Sequence, residues 1–162
     1  MSTRAHHGGA VIVVSILAAY MLTVLPLPDR ASVARPEWTA LVLIYWCMAV
    51  PHRVGVTIGW LAGLGQDVVQ ATLLGQHALA YAVLAYLVLR LHQRIRVYPL
   101  PQQALIVLVL LLLVQLSQAV IAGLVDHPPP AMAYWLPAVT GTLLWPWIFI
   151  LLRGARRRFG VQ

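Results

Sequence analysis

The apolar positions of this chain fall into six long runs, each closed by proline, glycine or a group of charges. The pattern predicts helices over about residues 10–25, 37–50, 54–69, 76–91, 102–125 and 133–152. Several runs approach or exceed the ~18 apolar residues that mark a membrane-spanning helix. Pro26 and Pro28, with Asp29 and Arg30, end the first run in a turn, and Pro36 precedes a helix start at Glu37 and Trp38. Pro51, His52 and Arg53 divide the second run from the third. Arg90, Arg94 and Arg96, followed by Pro99 and Pro101, predict a turn after the fourth. Asp126, His127 and the prolines 128–130 predict a rigid loop before the sixth. Arg153, Arg156, Arg157 and Arg158 are expected in a tail.

Residues 37–69 also admit a reading as one helix. Its roughly 33 residues would rise ~50 Å, against a hydrocarbon core of ~30 Å. It would leave Arg53 near mid-membrane, at a cost of ~2.5–3.5 kcal/mol. Two short helices hinged at Pro51 avoid both problems, so six spans are expected, the short ones tilted or in a locally thinned bilayer.

Composition agrees with lipid as the solvent. Only 9% of the residues are charged, where a soluble domain carries about 25%. The chain leaves no room for a separate soluble domain, and residues 1–162 are expected to form a single polytopic membrane domain. The first run is long, lacks a small-residue cleavage site and ends in Pro26-Leu27-Pro28. It is expected to be a retained helix rather than a signal.

The formal net charge of +7 comes from arginine alone, since the chain has no lysine. Nucleic-acid binding is set aside, because the arginines stand at the ends of apolar runs and form no basic stripe. With six spans and the N-terminus inside, Arg4, Arg53, the Arg90 group and the C-terminal four put about nine arginines on the cytoplasmic side, leaving Arg30 and Arg35 outside. An inverted six-span arrangement reverses the ratio, and an inverted five-span one needs the over-long helix. Both termini are therefore expected in the cytoplasm of a bacterial inner membrane. Trp38 and Trp135 open helices at the outer interface and Trp147 lies near the inner one. Trp46 and Trp60 are deeper and expected to pack between helices.

Gly55, Gly59, Gly63 and Asp67 recur every four residues and form one drifting stripe. Such a stripe admits close helix approach, either inside the bundle or by a partner's helix. Asp67 is an intramembrane acid, hence either a functional group or a cap for the helix that begins near Gln76. Gln115, Ser117 and Gln118 interrupt a Leu/Val run and must find partners. With His77 they are candidates for a small polar cavity.

The six histidines show no ligand spacing, so no metal site is expected. Cys47, the single cysteine, reads as a small buried hydrophobe. No phosphate-binding loop, nucleophile elbow or pair of membrane acids is present, so catalysis is not expected.

Several segments together carry a likeness. They are Leu25-Pro26-Leu27-Pro28-Asp29, Arg35-Pro36-Glu37-Trp38, Tyr45-Trp46 followed by Pro51-His52-Arg53-Val54, the Gly59/Gly63/Asp67 stripe, and Leu74-Gly75. They continue with Gln102-Gln103-Ala104-Leu105, then Leu144-Trp145-Pro146-Trp147-Ile148-Phe149 running into Arg153, and the terminal Phe159-Gly160-Val161-Gln162. In order and over nearly its whole length the chain resembles the MreD family of rod-shape membrane subunits, in its gammaproteobacterial form. The resemblance implies a non-enzymatic scaffold of the elongation complex. It would bind MreC, a bitopic protein with a periplasmic domain, and act with MreB filaments, the polymerase RodA and the transpeptidase PBP2 in lateral peptidoglycan synthesis and cell shape. It also implies an all-α fold similar to the substrate-binding subunits of energy-coupling-factor transporters. The alternative is therefore a small-molecule or lipid-binding transporter-like subunit. No cofactor is implied.

Overall fold

The computed structural model describes residues 3–125 and 132–162, with side chains from residue 8 onward. The predicted loop of Asp126, His127 and Pro128 to Pro130 lies outside the described residues. The described chain is all-helical: α1 (Thr3–Val24), a single turn α2 (Asp29–Ser32), α3 (Trp38–Ala49), α4 (Val56–Gln70), α5 (Gln76–Val97), α6 (Leu100–Leu124), a 3-10 turn (Met132–Trp135) and α7 (Leu136–Arg158). Leu100–Leu124 and Met132–Arg158 are each long and apolar enough to cross a membrane.

The helix ends follow local chemistry. α3 stops before Pro51, which cannot continue a helix and forces its predecessor out of the helical region; Val50 sits at φ −137° and ψ 64°. α4 ends on Ala71 in the left-handed region, φ 51°, with the Thr72 N–H donating back to the Asp67 carbonyl at 3.0 Å. Gly75, at φ 101°, then turns the chain into α5. Pro101 and Pro137 stand in the first turns of α6 and α7, where a missing N–H costs nothing.

Three helices run further than the pattern predicted. α1 begins at Thr3 rather than near residue 10. α5 continues past Leu91 to Val97, so Arg90, Arg94 and Arg96 lie on a helix rather than in a turn. α7 continues past Leu152 to Arg158, so its four arginines are helical as well. Arginine is a good helix former, and the true stops are Pro99 and the Gly160 turn.

α3 is the hub. From Thr39 to Val50 every residue is buried, which a helix achieves only when enclosed on all sides. Around it α1, α4, α5, α6 and α7 form a ring in that order. α4 and α5 pack most extensively, and the α1–α7 seam that closes the ring is the loosest. The ring has two unlike ends. At one, Gly8 stands beside the Arg53 guanidinium and Val161, so the starts of α1 and α4 meet the end of the chain. At the other, Glu37 accepts a hydrogen bond from the Tyr81 hydroxyl at 2.9 Å, and the Thr39 hydroxyl donates to Gln66 Oε1 at 2.7 Å. Of the two deep tryptophans, Trp46 is fully buried and donates to Ser15 Oγ at 2.8 Å. Trp60 does not pack between helices: it lies on the outer face of α4, 46% exposed.

Candidate functional site

The stripe on α4 faces α5. A methyl group at Gly63 would lie 2.5 Å from the Ala78 backbone nitrogen and 2.5 Å from the His77 carbonyl oxygen. One at Gly59 would lie 2.8 Å from Ala85 Cβ and 2.8 Å from the Tyr81 carbonyl oxygen. Only hydrogen fits at these two positions, so α4 and α5 touch backbone to backbone. Gly55 is not part of this contact; it precedes the first turn of α4 with open space around it. A further glycine, Gly65, lies off the stripe. It makes room for the Tyr20 ring of α1, whose hydroxyl donates to the Ala62 carbonyl at 2.6 Å. The spacing of four hid Gly65 because it faces a different neighbour.

Asp67 completes the α4–α5 joint. Its carboxylate accepts the backbone N–H groups of Gly75 (2.9 Å), His77 (2.9 Å) and Ala78 (3.4 Å), and the Thr72 hydroxyl at 2.9 Å. His77 Nδ1 lies 2.8 Å from the same carboxylate. The first N–H groups of a helix have no intrahelical partner, and an acid there also meets the positive end of the helix dipole. Asp67 is thus a cap for α5 supplied from the preceding helix, 1% exposed and with its oxygens occupied.

The remaining polar candidates each have a hydrogen-bond partner of their own. His77 is in the Asp67 cap. Gln115 Nε2 donates to the Tyr134 carbonyl at 3.1 Å, and the Tyr134 hydroxyl returns a bond to the Gln115 carbonyl at 3.0 Å, tying α6 to the 3-10 turn. The Gln118 carbonyl accepts from Gln76 Nε2 at 3.5 Å. Ser117 donates to the Val114 carbonyl of its own helix at 2.8 Å. It lines an apolar groove of about 420 Å³ between α5 and α6. A six-helix pattern carries no register between helices, which is why these residues read as a group.

Three other openings matter. The loose seam between α1 and α7 is an apolar groove of about 500 Å³, floored by Trp38 and Val42 of α3 and walled by Val14, Ala18, Ile148 and Leu151. At the acid-bearing end, Arg35, Glu37, Gln66 and Gln70 border a polar pocket of about 300 Å³. At the opposite end, Arg96, Arg153 and Arg156 border a pocket of about 260 Å³ with Gln103 in its wall. Sequence reasoning placed these three arginines in a turn and a tail, where no shared pocket could be foreseen. Among the described residues no group of three or more His, Cys, Asp and Glu stands together as a metal site.

Residues 6–155, from α1 through most of α7, match the family described as rod shape-determining protein MreD. The chain belongs to the MreD family. A relative from Haemophilus influenzae, Rod shape-determining protein MreD, is 32% identical over 144 residues, covering 86% of this chain and 86% of the relative. No solved structure matches the chain. Since the matched span takes in α3 and all five ring helices, the hub-and-ring bundle is the part of the chain that carries family membership. Rod-shape determination is the process to which that membership ties it.

Proposed function

We propose that this MreD-family chain is a non-enzymatic scaffold of the elongation complex in the bacterial inner membrane. It crosses the membrane six times as one domain with both termini in the cytoplasm. It holds MreC, and through it works beside MreB, RodA and PBP2 in lateral peptidoglycan synthesis. The observation that carries this reading is the hub-and-ring bundle in a rod-shape family chain. α3 reaches only ~18 Å along its axis, but it is enclosed by other helices, so its ends need not reach the lipid–water interfaces on their own. The bundle's outer faces are apolar: Leu17, Met21, Leu143 and Leu151 are all exposed. The bundle fold is proposed to be similar to that of energy-coupling-factor substrate-binding subunits.

Packing supports one docking face for MreC over another. Gly59 and Gly63 are occupied by α5, so a partner's membrane helix does not use that stripe. The α1–α7 seam is the loosest in the ring and holds an apolar groove of about 500 Å³, and we assign MreC's helix to it. The test is co-purification from mild detergent. Ala18→Trp fills the groove and is expected to abolish MreC recovery while the thermal unfolding profile stays close to that of the wild type. Undiminished recovery with a filled groove removes the seam as the docking face.

A second reading, a small-molecule or lipid-binding transporter-like subunit, is favoured by the polar pocket beside Arg35 and Glu37. Native mass spectrometry discriminates: a retained small molecule lost in Arg35→Gln supports it, and an empty wild-type protein counts against it.

A further inference from the structure

The arginine-rich end of the bundle holds a pocket that neither scaffolding nor helix packing explains. Arg96 comes from the last turn of α5, and Arg153 and Arg156 come from α7 one turn apart. They converge on a space of about 260 Å³ whose other walls include Tyr45 of α3 and Phe149. Arg156 is held in place, since its Nε donates to the Val161 carbonyl at 3.2 Å, which leaves its terminal nitrogens for the pocket.

No side-chain carboxylate among the described residues pairs with these three arginines. The three acidic side chains among the described residues are Asp29, Glu37 and Asp67, and Glu37 and Asp67 make their bonds at the opposite end of the bundle. Asp29 follows the end of α1, away from Gly8 and Arg53. None of the described arginines pairs with a side-chain carboxylate. Three guanidinium groups around one pocket repel each other at close range, and the arrangement is favourable when an anion sits between them. Guanidinium rather than ammonium is the planar fork that grips phosphate oxygens two at a time.

A second, independent group points into ligand chemistry. Gln103 is 3% exposed. Its Nε2 is spent on the Ile95 and Tyr98 carbonyls at 3.0 and 3.1 Å, closing the end of α5. Its Oε1 is buried and has no partner, and Gln103 lines this same pocket. A buried acceptor without a donor costs ~1–3 kcal/mol, so a ligand that brings a donor recovers that cost. The volume is below the ~300–1,000 Å³ of sites that engulf a whole drug-sized ligand. It fits a headgroup, with the rest of the molecule outside.

We propose that the Arg96–Arg153–Arg156 pocket is a binding site for a phosphate ester that carries a hydroxyl. The phosphate lies among the three guanidinium groups and the hydroxyl donates to Gln103 Oε1. Two sources share this chemistry, the headgroup of an anionic glycerophospholipid and a soluble glycerol phosphate. The lipid is favoured because the pocket opens at the ends of apolar helices, where basic pockets between spans take anionic headgroups. A zwitterionic headgroup that ends in an ammonium is disfavoured, since that group would face three arginines. This site rests on the membrane-spanning reading but not on any contact with MreC.

The experiment uses the full chain in nanodiscs, after carbonate washing has tested insertion separately, so that failure to insert is not mistaken for failure to bind. Lipids retained on extraction from discs holding phosphatidylglycerol and phosphatidylcholine are counted by native mass spectrometry. The wild-type chain is expected to retain phosphatidylglycerol preferentially. The double variant Arg153→Gln, Arg156→Gln is expected to lose about tenfold more of that preference than Arg157→Gln, Arg158→Gln, which removes the same charge next to the pocket. Equal losses in the two variants overturn the proposal. Arg96→Gln is a second test on another helix, expected to act in the same direction; an unchanged preference there also counts against the site. Glycerol 3-phosphate added to the discs distinguishes the sources. Displacement of the lipid at micromolar concentration supports the phosphate-ester site and assigns it to the soluble compound, and resistance assigns it to the lipid.

Discussion

Asp67 shows how one side chain can be read two ways. An acid inside an apolar run suggests chemistry, because burying an unpaired carboxylate is prohibitive. Here the carboxylate has its partners already: three backbone N–H groups at the start of α5, the Thr72 hydroxyl and His77 Nδ1. Truncation leaves those donors without an acceptor in a site closed to water. Asp67→Ala is therefore expected to lower stability by about 3 kcal/mol, read as an earlier midpoint in denaturation by sodium dodecyl sulfate from mixed micelles. Asp67→Asn keeps one acceptor oxygen and is expected to cost less. A loss below 1 kcal/mol for the alanine variant would mean the cap is not what holds α5 to α4. Asp67 was legible from sequence as an unusual residue, and so was the capping alternative. The identity of its partners was not, because a carboxylate eight to eleven residues ahead of the N–H groups that donate to it reveals nothing until Gly75 reverses the chain.

At the scale of elements, the glycines separate into those that carry packing and those that do not. Gly63 has the backbone of α5 against it and nothing there can swing aside. Gly63→Ala is expected to cost about 1–3 kcal/mol by forcing α4 and α5 apart. Gly154, inside α7, has nothing within 4 Å. Gly154→Ala should stabilise by up to ~1 kcal/mol through helix propensity alone. Parallel thermal unfolding in detergent checks the opposite signs, and a stabilising Gly63→Ala would refute the close α4–α5 contact. The positions of the six long helices were legible because Pro26, Pro36, Pro51 and Pro99 act locally. The stripe of four told which face of α4 is smooth but not what lies against it, since periodicity describes a helix and not its neighbour. The extra turns of α5 and α7 were lost for a related reason. Arg94 and Arg156 read as interface markers, and a residue can mark an interface while continuing a helix.

For the whole molecule, the arginines are the strongest lever. One end of the bundle gathers Gly8, Arg53 and Val161, and α5 and α7 bring Arg90, Arg94, Arg96, Arg153, Arg156, Arg157 and Arg158 toward their C-terminal ends. Arg30 and Arg35 stand with α2 and the start of α3, and the Arg35 guanidinium donates to the Thr23 and Leu25 carbonyls at the end of α1. Arginines near span ends resist translocation, so under the proposed six-span arrangement this asymmetry is expected to set orientation. Single cysteines at 94 and 156 are expected to resist a membrane-impermeant maleimide in intact cells and to react in inverted vesicles, and a cysteine at 30 is expected to do the reverse. The native Cys47 needs no replacement: it is fully buried in the central helix, and the unaltered chain should stay unlabelled on both sides. The lipid-headgroup pocket depends on the same geometry, because Arg96, Arg153 and Arg156 meet only if α5 and α7 end on one side. Labelling of residue 94 and residue 156 from opposite faces would break the up-and-down order of the ring. Labelling of both from the periplasm would keep the ring, turn the molecule over, and move the anion pocket to the outer leaflet.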